Sequence, residues 1–365
     1  MKGVILVENS FVHPYMPNSV PENKKAMLDE LGINSVEDIY KSIIPDELLY
    51  KERLDIPEPI RSEYELKRHV MGILNRDITT EEYTNFLGAG CYKHQVPAIC
   101  DEINSRGEFL TAYCGDTYSD HGKMQAIFEY TSMMGELLDT DVVSYTTYDG
   151  GQAVASSLRM AVRAVREKGM AGKVILVPKT MNPEIYSQVV QYCRNVAEVR
   201  KIAYEPETGL IDLEELKKQL AKKNVAAVFF ENPTYLGNFE TRGEEIAKLA
   251  HDAGAYCVVQ TEVAALGIME SPVNQGADIV CGDIQPLGMH IQFGGGQAGF
   301  IACNQNMDLV EQFPTYMYGI TETEKEDTYG WGRAMNYRSS HGSRENAKEY
   351  FGTETGLWEI GRAHV

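Results

Sequence analysis

The sequence predicts an α/β protein whose mostly parallel sheet is covered by helices on both faces, with the start of a smaller C-terminal domain behind it. Three observations predict it. Short apolar runs without polar alternation recur at 174–177, 225–230 and 256–259, and a strand that is apolar on both sides belongs in a sheet with no solvent face. Between the runs lie stretches with apolar residues at helical spacing. The two kinds alternate from about residue 141 to 303, the pattern of strands joined by crossover helices.

Taken in order, residues 1–62 read as an N-terminal helical arm, 63–310 as the large domain and 311–358 as the start of a truncated C-terminal domain. The arm is polar and broken by Pro45, Pro57 and Pro59, with a helix start at Ser35, a possible cap, and Asp38 three residues on. It reads equally as an arm that wraps a neighbour or as a plain helical leader. Leu66, Val70 and Leu74 repeat at four-residue spacing and predict a helix. A glycine-bearing loop at 86–92 follows, and Pro97 restarts a helix. The helix over 125–138 carries Ile127, Tyr130, Met134 and Leu137. A strand at 141–147 turns at Gly150 and Gly151 into a long helix, with Val154, Leu158, Ala161, Val162 and Val165 on one face and Gly169 at its end. Asn182 and Pro183 read as an N-cap and first helical residue. Asp212 and Glu215 frame another helix start. One more helix turns Ile246, Leu249, Ala250 and Ala253 inward and ends at Gly254. The last seven residues of the chain, EIGRAHV (359–365), spell the in-frame translation of a common sequencing adapter. They are expected to be non-native, with the natural chain cut near Trp358.

A net charge of −19 sets aside nucleic acid and anionic membranes as partners, because both would repel it. No run reaches the roughly 18 apolar residues of a membrane span. The seven cysteines are scattered and never form a CxxC pair, which points to reduced thiols in the cytoplasm and to no zinc site. Asp116, Asp120 and His121 lack ligand spacing, and a loop of such residues is more often a turn. No metal is expected. Ser340 and His341 have no acid partner in sequence and no nucleophile-elbow pattern.

In a parallel α/β sheet the ligand crevice lies at the carboxyl ends of the strands. Gly150 and Gly151, between a strand and a helix, offer backbone amides to a phosphate; a tight turn without ligand is the plain alternative. Asn232 follows a strand and suits either a turn or a hydrogen bond to a cofactor ring. Glu262 follows the next strand, placed to pair with a protonated pyridine nitrogen or to sit as a solvated loop acid. ADIVCGDIQPLG (277–288) and FGGGQAGF (293–300) read as strand, turn, close-approach glycines and strand, with no lysine anywhere from Ile279 to Asn304.

Five motifs together resemble the glycine-cleavage P-protein family, and within it subunit 1 of glycine dehydrogenase (decarboxylating). They are YTNFLGAGCY (83–92), RGEFLTAY (106–113), QAIFEY (125–130), YDGG (148–151) and GDIQPLG (282–288) with the glycines after Phe293. The likeness runs from about Pro14 to Asn304. It implies a pyridoxal-phosphate-dependent transferase fold type I in a chain that has lost the Schiff-base lysine, with Leu287 near its place. No catalytic residue is then expected in this chain, and Gly150, Gly151, Asn232 and Glu262 are its candidate cofactor contacts. The resemblance further implies a lysine-bearing second subunit that holds pyridoxal phosphate covalently. The family's reaction removes CO2 from glycine and passes the aminomethyl group to the lipoyl arm of the H-protein. Asn182 and Glu262 stand where the family tends to have His and Asp. Two alternatives stay open: a related complex acting on a different amino acid, or a catalytically silent scaffold subunit.

Overall fold

The computed structural model describes residues 12–50, 52, 54–86, 93–107, 109, 123–291, 297–334, 349 and 360. The chain forms two units, Met1–Thr84 and Asn85–Val365. In the first, helices α1 (Pro21–Leu31), α2 (Glu37–Lys41) and α3 (Glu63–Leu74) bury none of their residues. Helix α1 begins with Pro21, where a missing N–H costs nothing, and stops at Gly32, whose φ of 67° is left-handed. The start of α2 differs from expectation. Ser35 does not cap it; instead the Asp38 carboxylate accepts the N–H groups of Asn34 and Ser35, both at 3.1 Å. This is the reach-back half of a capping box. Helix α3 is capped by the Ser62 hydroxyl, which accepts from the Glu65 N–H.

The second unit opens with α4 (Ala98–Asn104) and α5 (Lys123–Leu138). Ile127, Tyr130 and Met134 turn inward on α5 as expected, but Leu138 rather than Leu137 completes the buried face. The strand expected over 141–147 shortens to β1 (Val142–Val143): the Ile301 N–H goes to the Ser144 hydroxyl at 3.3 Å, and the segment pairs with β7 again only at a bridge between Thr147 and Gly299. The α/β alternation follows as α6 (Gly150–Glu167), β2 (Val174–Pro178), α7 (Pro183–Cys193), β3 (Glu198–Ile202), α8 (Leu213–Leu220) and β4 (Val225–Asn232). It continues through α9 (Gly243–Asp252), β5 (Tyr256–Thr261), β6 (Ile279–Asp283) and β7 (Gly299–Cys303). Strand β3 escaped the sequence reading. It is an edge strand with Glu198, Arg200 and Lys201 along it, so it lacks the apolar run that marks its neighbours.

The sheet order is β1-β7-β6-β5-β4-β2-β3. Strands β2 to β6 pair in parallel, and only β7 runs against the rest, antiparallel to both β6 and β1. Successive residues feed opposite faces, as a pleated strand requires. On β4, Val228 and Phe230 join a core with α5, α8 and α9, while Ala227 and Phe229 join a second core with α6 and α7. Helix α6 is buried nearly all round, and both its start and its length match expectation. Beyond the sheet come α10 (Met307–Val310) and a separate hairpin of β8 (Met317–Glu322) and β9 (Tyr329–Ala334). The glycine run 294–296, the loop 87–92, the acidic loop with Asp116, Asp120 and His121, and residues Ser340 and His341 lie outside the described residues. Among the described residues no helix is long and apolar enough to cross a membrane, and no group of His, Cys, Asp or Glu has the arrangement of a metal site.

Candidate functional site

The carboxyl ends of β4, β5 and β6 lie beside the start of α6, and hydrogen bonds tie them together. Helix α6 starts where Asp149 takes extended backbone and its carboxylate Oδ1 accepts the Gln152 N–H at 2.6 Å, a charged N-cap suited to the positive end of a helix. The Gly150 N–H donates to Asp283 Oδ2 at 2.9 Å, and the Gln285 N–H donates to Asp283 Oδ1 at 2.7 Å. Both carboxylate oxygens of Asp283 are therefore engaged by backbone, one from α6 and one from the turn after β6. Gly150 is glycine for steric reasons: a Cβ there would stand 3.0 Å from the Asp283 Cβ and 3.2 Å from its nitrogen. At Gly151 a Cβ would meet the Gln188 carboxamide, which donates to Asp149 Oδ2 at 3.3 Å. Gln152 folds back to accept the Tyr148 N–H at 2.7 Å and donates to the Tyr192 hydroxyl at 3.2 Å.

At the end of β4, Glu231 is buried and accepts the Asn182 N–H at 3.1 Å and the Tyr235 N–H at 3.3 Å. The Asn182 side chain caps α7 by accepting the Glu184 N–H at 2.9 Å, as the sequence predicts. Asn232 spans its own loop: Nδ2 donates to the Glu240 carbonyl and Oδ1 accepts the Glu240 N–H, each at 3.2 Å. The Asn232 carbonyl accepts from the Thr261 hydroxyl at 3.1 Å, which joins β4 to β5. Glu262 caps a short turn of 3-10 helix by accepting the Ala264 N–H at 3.3 Å.

Three acids here hold their protons more tightly than usual. Burial pushes the Glu231 carboxyl up to about 7, partly opposed by its two backbone donors. Burial likewise pushes Asp283 up to about 7, the negative charges of Asp149 and Glu262 add to it, and the Gln285 and Gly150 amides oppose it. Glu262 is raised by burial as well. Desolvation favours the neutral acid, and acidic neighbours push the same way.

Pyridoxal phosphate requires an amine for its aldehyde, unclaimed amides for its phosphate and side chains turned to its ring. The described residues do not offer that set. Leu287 ends the turn Gln285–Leu287, its N–H bonded to the Ile284 carbonyl at 2.9 Å and its side chain packed on the core. The Gly150 amide faces a carboxylate, and the Asn232 carboxamide is spent on Glu240. Gly150, Gly151, Asn232 and Glu262 lie where strands hand over to helix or turn, and the Gly150 amide and Asn232 carboxamide have internal partners. The sequence reading missed Asp283, Glu231 and Gln188. An acid that ends a buried apolar strand was the available signal for the first two.

Residues 13–359 match the family described as Glycine cleavage system P-protein. Two similar proteins, each called Probable glycine dehydrogenase (decarboxylating) subunit 1, come from Staphylothermus marinus and Carboxydothermus hydrogenoformans. The first is 34% identical over 96% of this chain and 75% of its own length. The second is 36% identical over 91% of this chain and 72% of its own length. Their number in a series implies a second subunit for those proteins. A crystal structure of glycine decarboxylase (P-protein) in inhibitor-bound form superposes with a TM-score of 0.77 at 30% identity, over 97% of this chain and 76% of that one. A sphingosine-1-phosphate lyase from Burkholderia pseudomallei shares the fold alone, with a TM-score of 0.54 at 14% identity over 88% of this chain and 72% of that one. The architecture is the expected fold type I, and this chain belongs to the glycine cleavage system P-protein family.

Proposed function

We propose that this chain is the lysine-free subunit of a heteromeric glycine dehydrogenase (decarboxylating), an oxidoreductase of the glycine cleavage system. Its partner is a second P-protein subunit that bears the lysine and holds pyridoxal phosphate covalently. The observation that carries the reading is Leu287, an aliphatic side chain packed on the core at the turn after β6, where the resemblance puts that lysine. The complex releases CO2 from glycine and passes the aminomethyl group to the lipoyl arm of the H-protein. The cofactor held by the partner supplies the electron sink for that chemistry. The residues of this chain hold shape: Asp283 fixes α6 to β6, and Asn232 fixes the loop to Glu240. The cytoplasm suits the complex, since the described cysteines 193, 257, 281 and 303 are free thiols.

The test is co-expression with the second subunit. Visible pyridoxal absorbance in the complex and none in this chain alone, together with glycine-dependent bicarbonate exchange that requires H-protein, is the expected result. Absorbance with no response to glycine would move the substrate to another amino acid. A partner fully active without this chain would reduce the chain to a scaffold, a reading the internally bonded strand ends also favour.

A further inference from the structure

The start of a helix is where a protein most readily holds a phosphate, because its first amides have no partner within the helix. At α6 the Gly150 and Gln152 amides are claimed, and Gly151 lies close against the Gln188 carboxamide. Gly150 donates to Asp283 Oδ2 at 2.9 Å, Gln152 to Asp149 Oδ1 at 2.6 Å and Ala153 to the Asp149 carbonyl at 3.1 Å. A phosphate at this position would have to displace the Asp283 carboxyl, which reaches across 133 residues of sequence and is held on its other oxygen by the Gln285 amide. Around it are Asp149 and Glu262, which act on Asp283 as negative charges and would repel a dianion in the same way. Above it the side chains of Gln152 and Gln188 fold over Tyr148, Asp149 and Gly151. Below it Gly150 lies against the Asp283 backbone with no room for a methyl group.

We infer that the Asp283 carboxyl takes the place of a bound phosphate at the start of α6, so that this chain excludes phosphate-bearing cofactors from its own crevice and uses the helix start as a joint to β6. The glycines between strand and helix read in the sequence as a phosphate seat or a tight turn; the Asp283 carboxyl turns the same backbone to structural use. The inference rests on this chain's geometry and is independent of which amino acid the complex acts on.

The experiment uses the full chain purified with its co-expressed subunit, whose own site is first loaded with pyridoxal phosphate. Pyridoxine 5′-phosphate, which has no aldehyde for a lysine to capture, is titrated by its fluorescence, and inorganic phosphate in parallel. The wild-type complex is expected to show no further saturable site. Asp283→Ser uncovers the Gly150 and Gln285 amides and is expected to gain one, about tenfold or more tighter than any residual wild-type binding. Saturable binding by the wild type at this crevice overturns the inference, and so does a folded Asp283→Ser that gains none. Amide exchange provides a measurement that does not need the serine variant. Protection of Gly150 in the wild type is expected to be unchanged by phosphate, and Asp283→Asn, with one acceptor oxygen, is expected to speed exchange at Gly150 or Gln285. Protection that rises with phosphate in the wild type, or exchange unaltered in Asp283→Asn, refutes it.

Discussion

Gly150→Ala and Gly151→Ala are adjacent, chemically identical changes that the structure separates. At Gly150 the new methyl would sit 3.0 Å from the Asp283 Cβ, 3.2 Å from the Asp283 nitrogen and 3.3 Å from the Gly282 carbonyl carbon. Two of those atoms are backbone at the end of β6, which pairs with β5 and β7 and cannot retreat cheaply. Overpacking of this kind costs about 1–3 kcal/mol, while alanine recovers up to about 1 kcal/mol of helix propensity. The net loss for Gly150→Ala is about 1–2 kcal/mol. At Gly151 the methyl meets only the Gln188 carboxamide, the far end of a flexible and partly exposed side chain. Moving it sacrifices the 3.3 Å bond to Asp149, worth about 0.5–1.5 kcal/mol, and the propensity gain offsets most of that. Urea unfolding of the two variants, followed by circular dichroism, is therefore expected to place Gly150→Ala below the wild type and Gly151→Ala within about 0.5 kcal/mol of it. Equal stabilities for the two would refute the close approach of α6 to β6.

Stability is expected to fall as the pH rises through neutrality. Glu231 and Asp283 both bind a proton more tightly folded, up to about 7, than unfolded. Each therefore contributes stability that is complete below the unfolded carboxyl range near 4 and is lost as the pH passes about 7. The loss is on the order of 3 kcal/mol for buried Glu231, and Glu231→Gln is expected to flatten the curve between pH 5 and 8; an unchanged slope would remove Glu231 as the cause. Asn232→Ala is expected to cost about 2–3 kcal/mol, since it strands the Glu240 N–H and carbonyl in a buried loop, and thermal melts would read it. Cys193, Cys281 and Cys303 are fully buried, and burial pushes each thiol up to about 12. Ellman's reagent is expected to leave them unmodified in the folded protein and to react in urea.

What was legible in the sequence followed from periodicity. The apolar runs of β2, β4 and β5, the inward stripe of α6 and the caps Asn182 and Asp212 all stand where the pattern put them, because each is decided by residues close together in the chain. Strand β3 was illegible because an edge strand keeps one face wet and carries Glu198, Arg200 and Lys201. The 141–147 strand reads too long because its pairing is interrupted where the Ile301 N–H takes the Ser144 hydroxyl, a partner far away in sequence. The same limit held at the candidate site. Gly150, Gly151, Asn232 and Glu262 are legible as strand-end residues, but Gly150 bonds Asp283 and Asn232 bonds Glu240, and no spacing rule joins Gly150 to Asp283. The absent lysine, by contrast, needed no geometry.

The strand order also sets a schedule for synthesis. Strands β2 and β3 are the first neighbouring pair to be translated, and β4, β5 and β6 extend the sheet from β2 in the order in which they are translated. Strand β1 comes first but waits, because its partner β7 is the last strand of the sheet, and Val142 pairs with Cys303. A contact of such sequence separation closes late, so the nascent chain carries the bare edge of β6 until residues 299–303 arrive. During that interval the edge is a template for any other extended chain, and the antiparallel pair of β7 and β1 is what finally seals it.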